Sequence, residues 1–254
     1  MEWYWVVAIV VGSLAILLAL SNIFYKQFFK RFYDVVLSGI ALIVLSPLLL
    51  ILTIVGAIAM HGNPFFVQLR PGKIDPKTGE ERIFSLVKFR TMSNKKDSDG
   101  NLLPDSVRLN KYGKFLRRTS MDELPELFSI IIGDMSIVGP RPQLVRDMVF
   151  MTENQRMRHT VTPGLTGLAQ ISGRNNITWE KKFEIDLEYI EILSFWTDCK
   201  IIFQTVLKVL KRSDVVRDGT DSDMDFGDWL LYKGVVSKEE FDQKQANAKA
   251  LMEV

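Results

Sequence analysis

Val35-Val36-Leu37-Ser38-Gly39-Ile40-Ala41-Leu42-Ile43-Val44-Leu45-Ser46-Pro47-Leu48-Leu49-Leu50-Ile51-Leu52-Thr53-Ile54-Val55-Gly56-Ala57-Ile58-Ala59-Met60 is uncharged from end to end. By length and composition it reads as a helix able to cross a bilayer. Lys30 and Arg31 lie before it and Arg70 and Lys73 after it, so charge selects no orientation. Ser46-Pro47 falls at its middle. There proline removes a backbone hydrogen bond and bends the helix, and the serine hydroxyl can satisfy a freed carbonyl. The charged motifs that follow must share one compartment. A helix that enters the membrane, breaks at Ser46-Pro47 and returns to the same face meets both conditions. The alternative is a kinked spanning helix, which would put the rest of the chain on the far side.

Upstream, Trp3 to Phe24 is a second uncharged run long enough to span. Only Met1 and Glu2 precede it, so it lacks the basic start of a cleaved signal peptide. Lys26, Lys30 and Arg31 follow, which puts its C-terminal end in the cytoplasm and Trp3, Tyr4 and Trp5 at the outer interface. It reads as a transmembrane anchor over residues 1–25.

With 254 residues and a net charge of +2, the remainder suits one soluble domain. Cys199 is the only cysteine, which excludes an intrachain disulfide framework and thiolate metal sites. His61 and His159 are the only histidines and lie far apart, so oxygen-ligated Mg2+, or Mn2+, is expected in preference to zinc. Neither a Walker loop nor a dinucleotide GxGxxG signature occurs.

Downstream, Phe65-Phe66-Val67 and Ile83 to Phe89 flank Asp75-Pro76-Lys77-Thr78-Gly79, predicting a β-hairpin. Ser93 to Asp105 reads as a loop. Arg108, Lys111, Lys114, Arg117 and Arg118 lie between Ser106 and Met121 without an acid, and Asp122-Glu123-Leu124-Pro125 follows. Two carboxylates beside a basic run suit phosphate chemistry with a divalent cation. Tyr112, Phe115 and Leu116 share one helical face, and Leu124, Leu127, Phe128 and Ile131 belong to the next helix. Proline is tolerated only in a first turn, so Pro125 puts Asp122 near that helix's cap. The helix end should then keep both carboxylates ionised.

Gly139-Pro140-Arg141-Pro142 is either a turn that stops a helix or a rigid mount for an oxyanion-binding arginine. Pro163 to Gly167 and Gly173-Arg174-Asn175 form a second Gly/Arg-rich loop region. Trp179, Phe183, Leu187 and Ile190 share a helical face. Trp196, Cys199, Phe203, Val206, Leu207 and Leu210 make another, opposite Lys200, Gln204, Lys208 and Lys211; it suits either a membrane interface or the core. Asp214 to Asp228, with six aspartates, reads as a solvated linker over 214–228. Residues 229–254 read as a short helical extension turning at Gly234-Val235-Val236-Ser237.

Taken in order, eight stretches resemble the bacterial sugar transferases, the monotopic polyprenyl-phosphate phosphoglycosyl transferases. They are Lys30-Arg31-Phe32-Tyr33-Asp34, Ser46-Pro47, Arg70-Pro71-Gly72, Lys88-Phe89-Arg90-Thr91-Met92, Asp122-Glu123-Leu124-Pro125, Gly139-Pro140-Arg141-Pro142, Pro163-Gly164-Leu165-Thr166-Gly167 and Gly173-Arg174-Asn175. The resemblance implies an α+β, mostly helical, monotopic membrane enzyme. It would have a re-entrant helix over 35–60, a small β-hairpin and interfacial amphipathic helices, with the N-terminal transmembrane helix added. Its transferase domain would cover 26–213.

The implied reaction moves a sugar-1-phosphate from a UDP-sugar to undecaprenyl phosphate and releases UMP. Asp122 would be the nucleophile that forms a covalent phosphosugar intermediate, and Glu123 its partner as base or metal ligand. Splitting a transfer between two anions into two steps is sensible chemistry. Magnesium would neutralise the diphosphate near Asp122 and Glu123. Arg117, Arg141 and Arg174 are the candidates for phosphate or nucleotide binding; Gln170 and Asn175 are candidate polar contacts, and Asp186 is a candidate to orient the site. The expected setting is the cytoplasmic face of the bacterial inner membrane, at the start of capsule, O-antigen, exopolysaccharide or glycoprotein assembly. Membrane lipid and downstream glycosyltransferases are expected partners; nucleic acid is not. Two other readings compete: a catalytically idle scaffold for glycan assembly, and a membrane phosphohydrolase with water as acceptor.

Overall fold

The computed structural model describes residues 2–173, 177–211 and 224–253. Helix α1 covers Glu2–Ile23, and a π turn over Tyr25–Phe29 leads into α2, Lys30–Met60. Helix α2 runs unbroken through Pro47, which corrects the expectation that the helix breaks at Ser46-Pro47. The missing proline N–H deprives the Ile43 carbonyl of its partner, and the Ser46 hydroxyl donates to that same oxygen at 2.8 Å. Local sequence thus compensates the proline where the backbone requires it.

Both ends of α2 are tied to the rest of the chain. At its start, Lys30 donates to Asp198 at 2.6 Å and to the Val138 carbonyl at 2.8 Å. Arg31 donates to the Ile130 and Ile131 carbonyls, and Asp34 accepts from the Ile137 amide at 2.9 Å. These bonds account for three residues of the Lys30-to-Asp34 stretch. Near the C-terminal end, Tyr112 donates to the Leu52 carbonyl at 2.8 Å and Asn110 to the Ala59 carbonyl at 3.0 Å. Gly56 allows this approach, because a Cβ there would stand 2.8 Å from the Tyr112 hydroxyl. The opposite side of α2, including Ile40, Ile43, Val44, Ile51, Ile54 and Ile58, is exposed.

Strands β1 (Phe65–Ile74) and β2 (Glu81–Phe89) form the expected antiparallel hairpin, pairing Phe65 with Phe89. Helices α3 (Asp105–Arg108), α4 (Lys111–Thr119) and α5 (Glu126–Ile132) follow. Strand β3 (Ser136–Val138) comes next, then α6 (Val145–Met148), α7 (Glu153–Arg156) and β4 (Gly164–Thr166), which pairs parallel with β3. The chain continues through α8 (Leu168–Ser172), α9 (Trp179–Ile192), α10 (Phe195–Lys211), α11 (Phe226–Tyr232) and α12 (Lys238–Met252). Among the described residues the fold is mostly helical, with two small sheets.

Short apolar clusters hold these elements. Leu52 of α2 packs with Phe89 and Leu116, while Phe84 and Leu86 of β2 pack with Leu127, Ile130 and Met135. Tyr25, Val138, Tyr189, Leu193 and Ile201 form a third cluster.

Four further readings are narrowed or changed. Gly139-Pro140-Arg141-Pro142 follows a strand, not a helix, because β3 pairs with the Gly164 segment instead of capping α5. Phe115 is exposed although Leu116 beside it is buried. Along α10 only Asp198 and Ile201 are buried, so Trp196, Phe203, Val206, Leu207 and Leu210 do not form core. Finally, Asp225 immediately precedes α11 and Asp228 lies in its first turn, both paired with Arg146. Of the span read as a linker, 214–223 lies outside the described residues.

Candidate active site

Ser120 ends α4 in the left-handed region, φ +54°, and its carbonyl opens a 3-10 turn over Met121–Glu123. Such a φ is uncommon for a residue with a Cβ, so the turn after α4 is specified by its surroundings. Pro125 follows with φ −63°, pre-set for the first turn of α5, whose first residue is Glu126. Asp122 and Glu123 therefore precede α5 by one short turn and are not in its first turn.

The two carboxylates have different environments. Glu123 accepts from Lys88 at 2.9 Å and also pairs with Arg141. Burial alone would raise the Glu123 carboxyl, but Arg141 and then Lys88 outweigh it and hold it well below the usual carboxylate range. Among the described residues no ion pair engages Asp122. Its carboxyl is pushed up, by burial first and the Glu123 charge second, with Lys88 and Arg141 opposing. The expectation that a helix end keeps both ionised is thus corrected: side-chain cations do this for Glu123, and Asp122 moves the other way. Lys88 also reaches the buried Glu126 at 3.0 Å. Burial pushes that carboxyl up as well.

Both residues face a cleft of about 670 Å³. Its described lining carries nine lysines and arginines against three carboxylates, a balance suited to a polyanionic substrate. Arg117, Arg141, Gln170 and Asp186 all line it, so these candidates meet around Asp122 and Glu123. Arg117 donates to Thr91 at 3.1 Å, and Gln170 donates to the Leu165 carbonyl at 3.0 Å. The Gln170 Oε1 is buried and unpartnered. Arg174 and Asn175 lie outside the described residues.

Asp186 holds a buried arginine. Arg158 donates to Asp186 through Nε at 3.0 Å and Nη2 at 2.6 Å, and Nη2 also donates to the Arg141 carbonyl at 2.7 Å. Arg141 is thus fixed at its backbone by Arg158 and at its guanidinium by Glu123. Arg70 donates to the Pro142 carbonyl at 3.1 Å and ties the hairpin to the same loop. Burial, then the Arg141 charge, lowers Arg70 to about 10.

Lys88, Arg70 and Arg90 also line the cleft; each stands in a stretch quoted above, but its residue type alone does not mark it as part of a site. Arg158 lacks any such signal; nothing local distinguishes it from a surface arginine.

A pair of unlike carboxylates in a cation-lined cleft suits chemistry on a phosphate ester. The bacterial sugar transferase family model matches residues 25–212. The chain is 47% identical over 182 residues to "Uncharacterized sugar transferase EpsL" of Bacillus subtilis, covering 71% of this chain and 87% of that protein. It is 40% identical over 190 residues to the UDP-glucose:undecaprenyl-phosphate glucose-1-phosphate transferase of Klebsiella pneumoniae, covering 71% of this chain and 40% of that one. The Escherichia coli protein of the same name is 38% identical over 191 residues, covering 72% of this chain and 40% of the relative. The chain belongs to the bacterial sugar transferase family. It spans less than half the length of the Klebsiella and Escherichia relatives.

Proposed function

We propose that this protein transfers a sugar-1-phosphate from a UDP-sugar to undecaprenyl phosphate, starting a lipid-linked glycan. The observation that carries this reading is the asymmetric pair: Glu123 is engaged by Lys88 and Arg141, and Asp122 faces the cleft without an ion pair among the described residues. An Asp122 oxygen attacks the sugar-bearing phosphorus, the bond to the bridging oxygen breaks, and UMP leaves with that oxygen. An oxygen of the lipid phosphate then attacks the same phosphorus and displaces the Asp122 carboxylate. Arg141, Arg117 and the other cleft cations bind the phosphates and offset their charge.

Asp122 and Glu123 also fit Mg2+ or Mn2+. The Glu123 hydrogen bonds among the described residues fall on Oε1, leaving Oε2 for a cation, and magnesium is commonly held by one or two carboxylates plus substrate phosphates. Among the described residues no group of three His, Cys, Asp or Glu is arranged as a cage, so the diphosphate would complete the shell. When bound, the ion supplies charge neutralisation at the diphosphate.

We further propose that α2 is re-entrant, bending at Pro47 without a break in the helix, and that the cleft lies on the cytoplasmic face of the inner membrane. The first turns of α2 bond to α5, β3 and Asp198, and its last turns bond to Tyr112 and Asn110. A helix crossing ~30 Å of hydrocarbon would separate those attachments to opposite faces. The exposed apolar sides of α2 and α10 suit a membrane surface.

The test is UMP release over a panel of UDP-sugars, with and without undecaprenyl phosphate. Asp122→Asn is expected to abolish release even without the acceptor, because the first half-reaction needs only nucleophile and donor. Normal release by that variant would sink the nucleophile assignment. Release of free sugar phosphate at the wild-type rate without lipid would favour water as acceptor.

A further inference from the structure

The family match ends at residue 212, yet α11 and α12 dock closely on the matched domain. The Gly227 amide donates to the buried Asp147 at 3.0 Å. Gly227 is sterically required there, since a Cβ would lie 2.6 Å from the Phe150 ring. Arg146 pairs with Asp228 and Asp225, and Gln245 donates to the Arg146 carbonyl at 3.2 Å. Ala248 of α12 is fully buried with Val145 and Met148 of α6.

Two routes lead from this docked unit to the cleft. In the first, Trp179 Nε1 donates to the Met224 carbonyl at 3.3 Å, and the Phe226 ring lies 5.4 Å from the indole. The Lys182 ammonium sits 4.3 Å from the centre of the Trp179 ring, and both residues line the cleft. In the second, Phe226 packs edge-on against Phe183 at 5.1 Å, and the Phe183 ring lies 5.7 Å from the Arg158 guanidinium. That guanidinium grips Asp186 and the Arg141 carbonyl, and Arg141 pairs with Glu123.

We propose that residues 224–253 are a brace of the active site. Through Phe226 they fix Trp179 and Lys182 as a cationic wall for a phosphate group of the substrate, and they support the Arg158 clamp behind Arg141. Phe226 is a positioning residue; Lys182 makes the contact. This inference rests on the proposed transfer reaction.

The experiment uses the full chain with Phe226→Ala, the milder Phe226→Leu, and Lys182→Gln. For Phe226→Ala, KM for the UDP-sugar is expected to rise about tenfold, the worth of one charge-assisted hydrogen bond at the weak end. The kcat is expected to fall less, and Phe226→Leu to recover most of the loss. Lys182→Gln should reproduce the KM effect. Hydrogen exchange over 179–186 should accelerate in Phe226→Ala and stay as in the wild type for Lys182→Gln. That readout needs no turnover, so it judges the brace even if every UDP-sugar fails as donor. Lower thermal stability with unchanged KM and unchanged exchange over 179–186 would overturn the proposal. If Phe226→Ala does not fold, the same criteria apply to Phe226→Leu, with about a twofold effect expected from its partial loss of ring contact.

Discussion

Lys88→Met would remove a cation that touches both Glu123 and Glu126. The ammonium stands 2.9 Å from one carboxylate and 3.0 Å from the other, with side-chain exposures of 16%, 18% and 2% for lysine, Glu123 and Glu126. At an effective dielectric near 20, each contact is worth about 5 kcal/mol before desolvation. Breaking a buried pair costs about 3–5 kcal/mol net, because a buried charge is left uncompensated. Protonation sets a ceiling. Glu126 is already pushed up by burial, and in the variant it can take a proton. Moving from about pH 7.5 to an ordinary glutamate pKa costs at most ~4 kcal/mol. The expected destabilisation near pH 7.5 is therefore about 3–4 kcal/mol, or a fall of about 10 °C in Tm.

The sign of its pH dependence is fixed by the same reasoning. In the variant the folded-state pKa of Glu126 rises further. The stability this contributes is present below the unfolded pKa and is lost as pH climbs through the folded one. The deficit relative to wild type should therefore shrink to about 1 kcal/mol near pH 5. Thermal unfolding of wild type, Lys88→Met and Lys88→Arg in one detergent at both pH values measures it. An equal deficit at both pH values would mean that the lysine stem, not its charge, matters, and would refute the electrostatic account.

Asp147, pushed to about 6 by burial first, contributes stability that is lost as pH rises through 6. Asp147→Asn keeps an acceptor for Gly227, so it should raise stability near pH 8 by about 3 kcal/mol, by about half that near pH 5, and change little near pH 3.5; melting curves at the three pH values check this. For topology, a probe at the exposed Lys73 and a tag at the C-terminus should label from the same side of sealed vesicles. Opposite-side labelling would mean that α2 spans and would remove the re-entrant proposal.

Different parts of the fold were legible in the sequence to different degrees. The β-hairpin was readable because Asp75-Pro76-Lys77-Thr78-Gly79 specifies a turn locally, and Gly79 adopts φ +75° there. The Ser46 hydroxyl could be matched to the carbonyl freed by Pro47 because both act within one helical turn. The C-terminal turn was legible for the same reason, with Gly234 at φ +69°. The parallel pairing of β3 with β4 was not, because three-residue strands leave no periodic signature. The site divides along the same line. Asp122, Glu123 and Arg141 stand in short motifs whose proline partners mark them. The Lys88 contacts join β2 to α5 and to the turn before it, and the Arg158 contacts join α9 to the loop after β3; each depends on long-range packing.

This difference bears on how the two carboxylates come to differ. A helix N-terminus would act on adjacent side chains almost alike and could not hold one low while letting the other rise. Lys88 and Arg141 can, because both hydrogen-bond the same oxygen of Glu123. Each is itself fixed: Lys88 by the pairing of β2 with β1, and Arg141 by Arg158, which is buried against Asp186. The unlike pair is therefore a product of tertiary structure acting on two neighbouring acids. Arg158→Met, distant in sequence from Asp122, releases the Arg141 carbonyl and Asp186 together, so it should disturb the Asp122–Glu123 asymmetry and lower UMP release; unchanged release would refute the link.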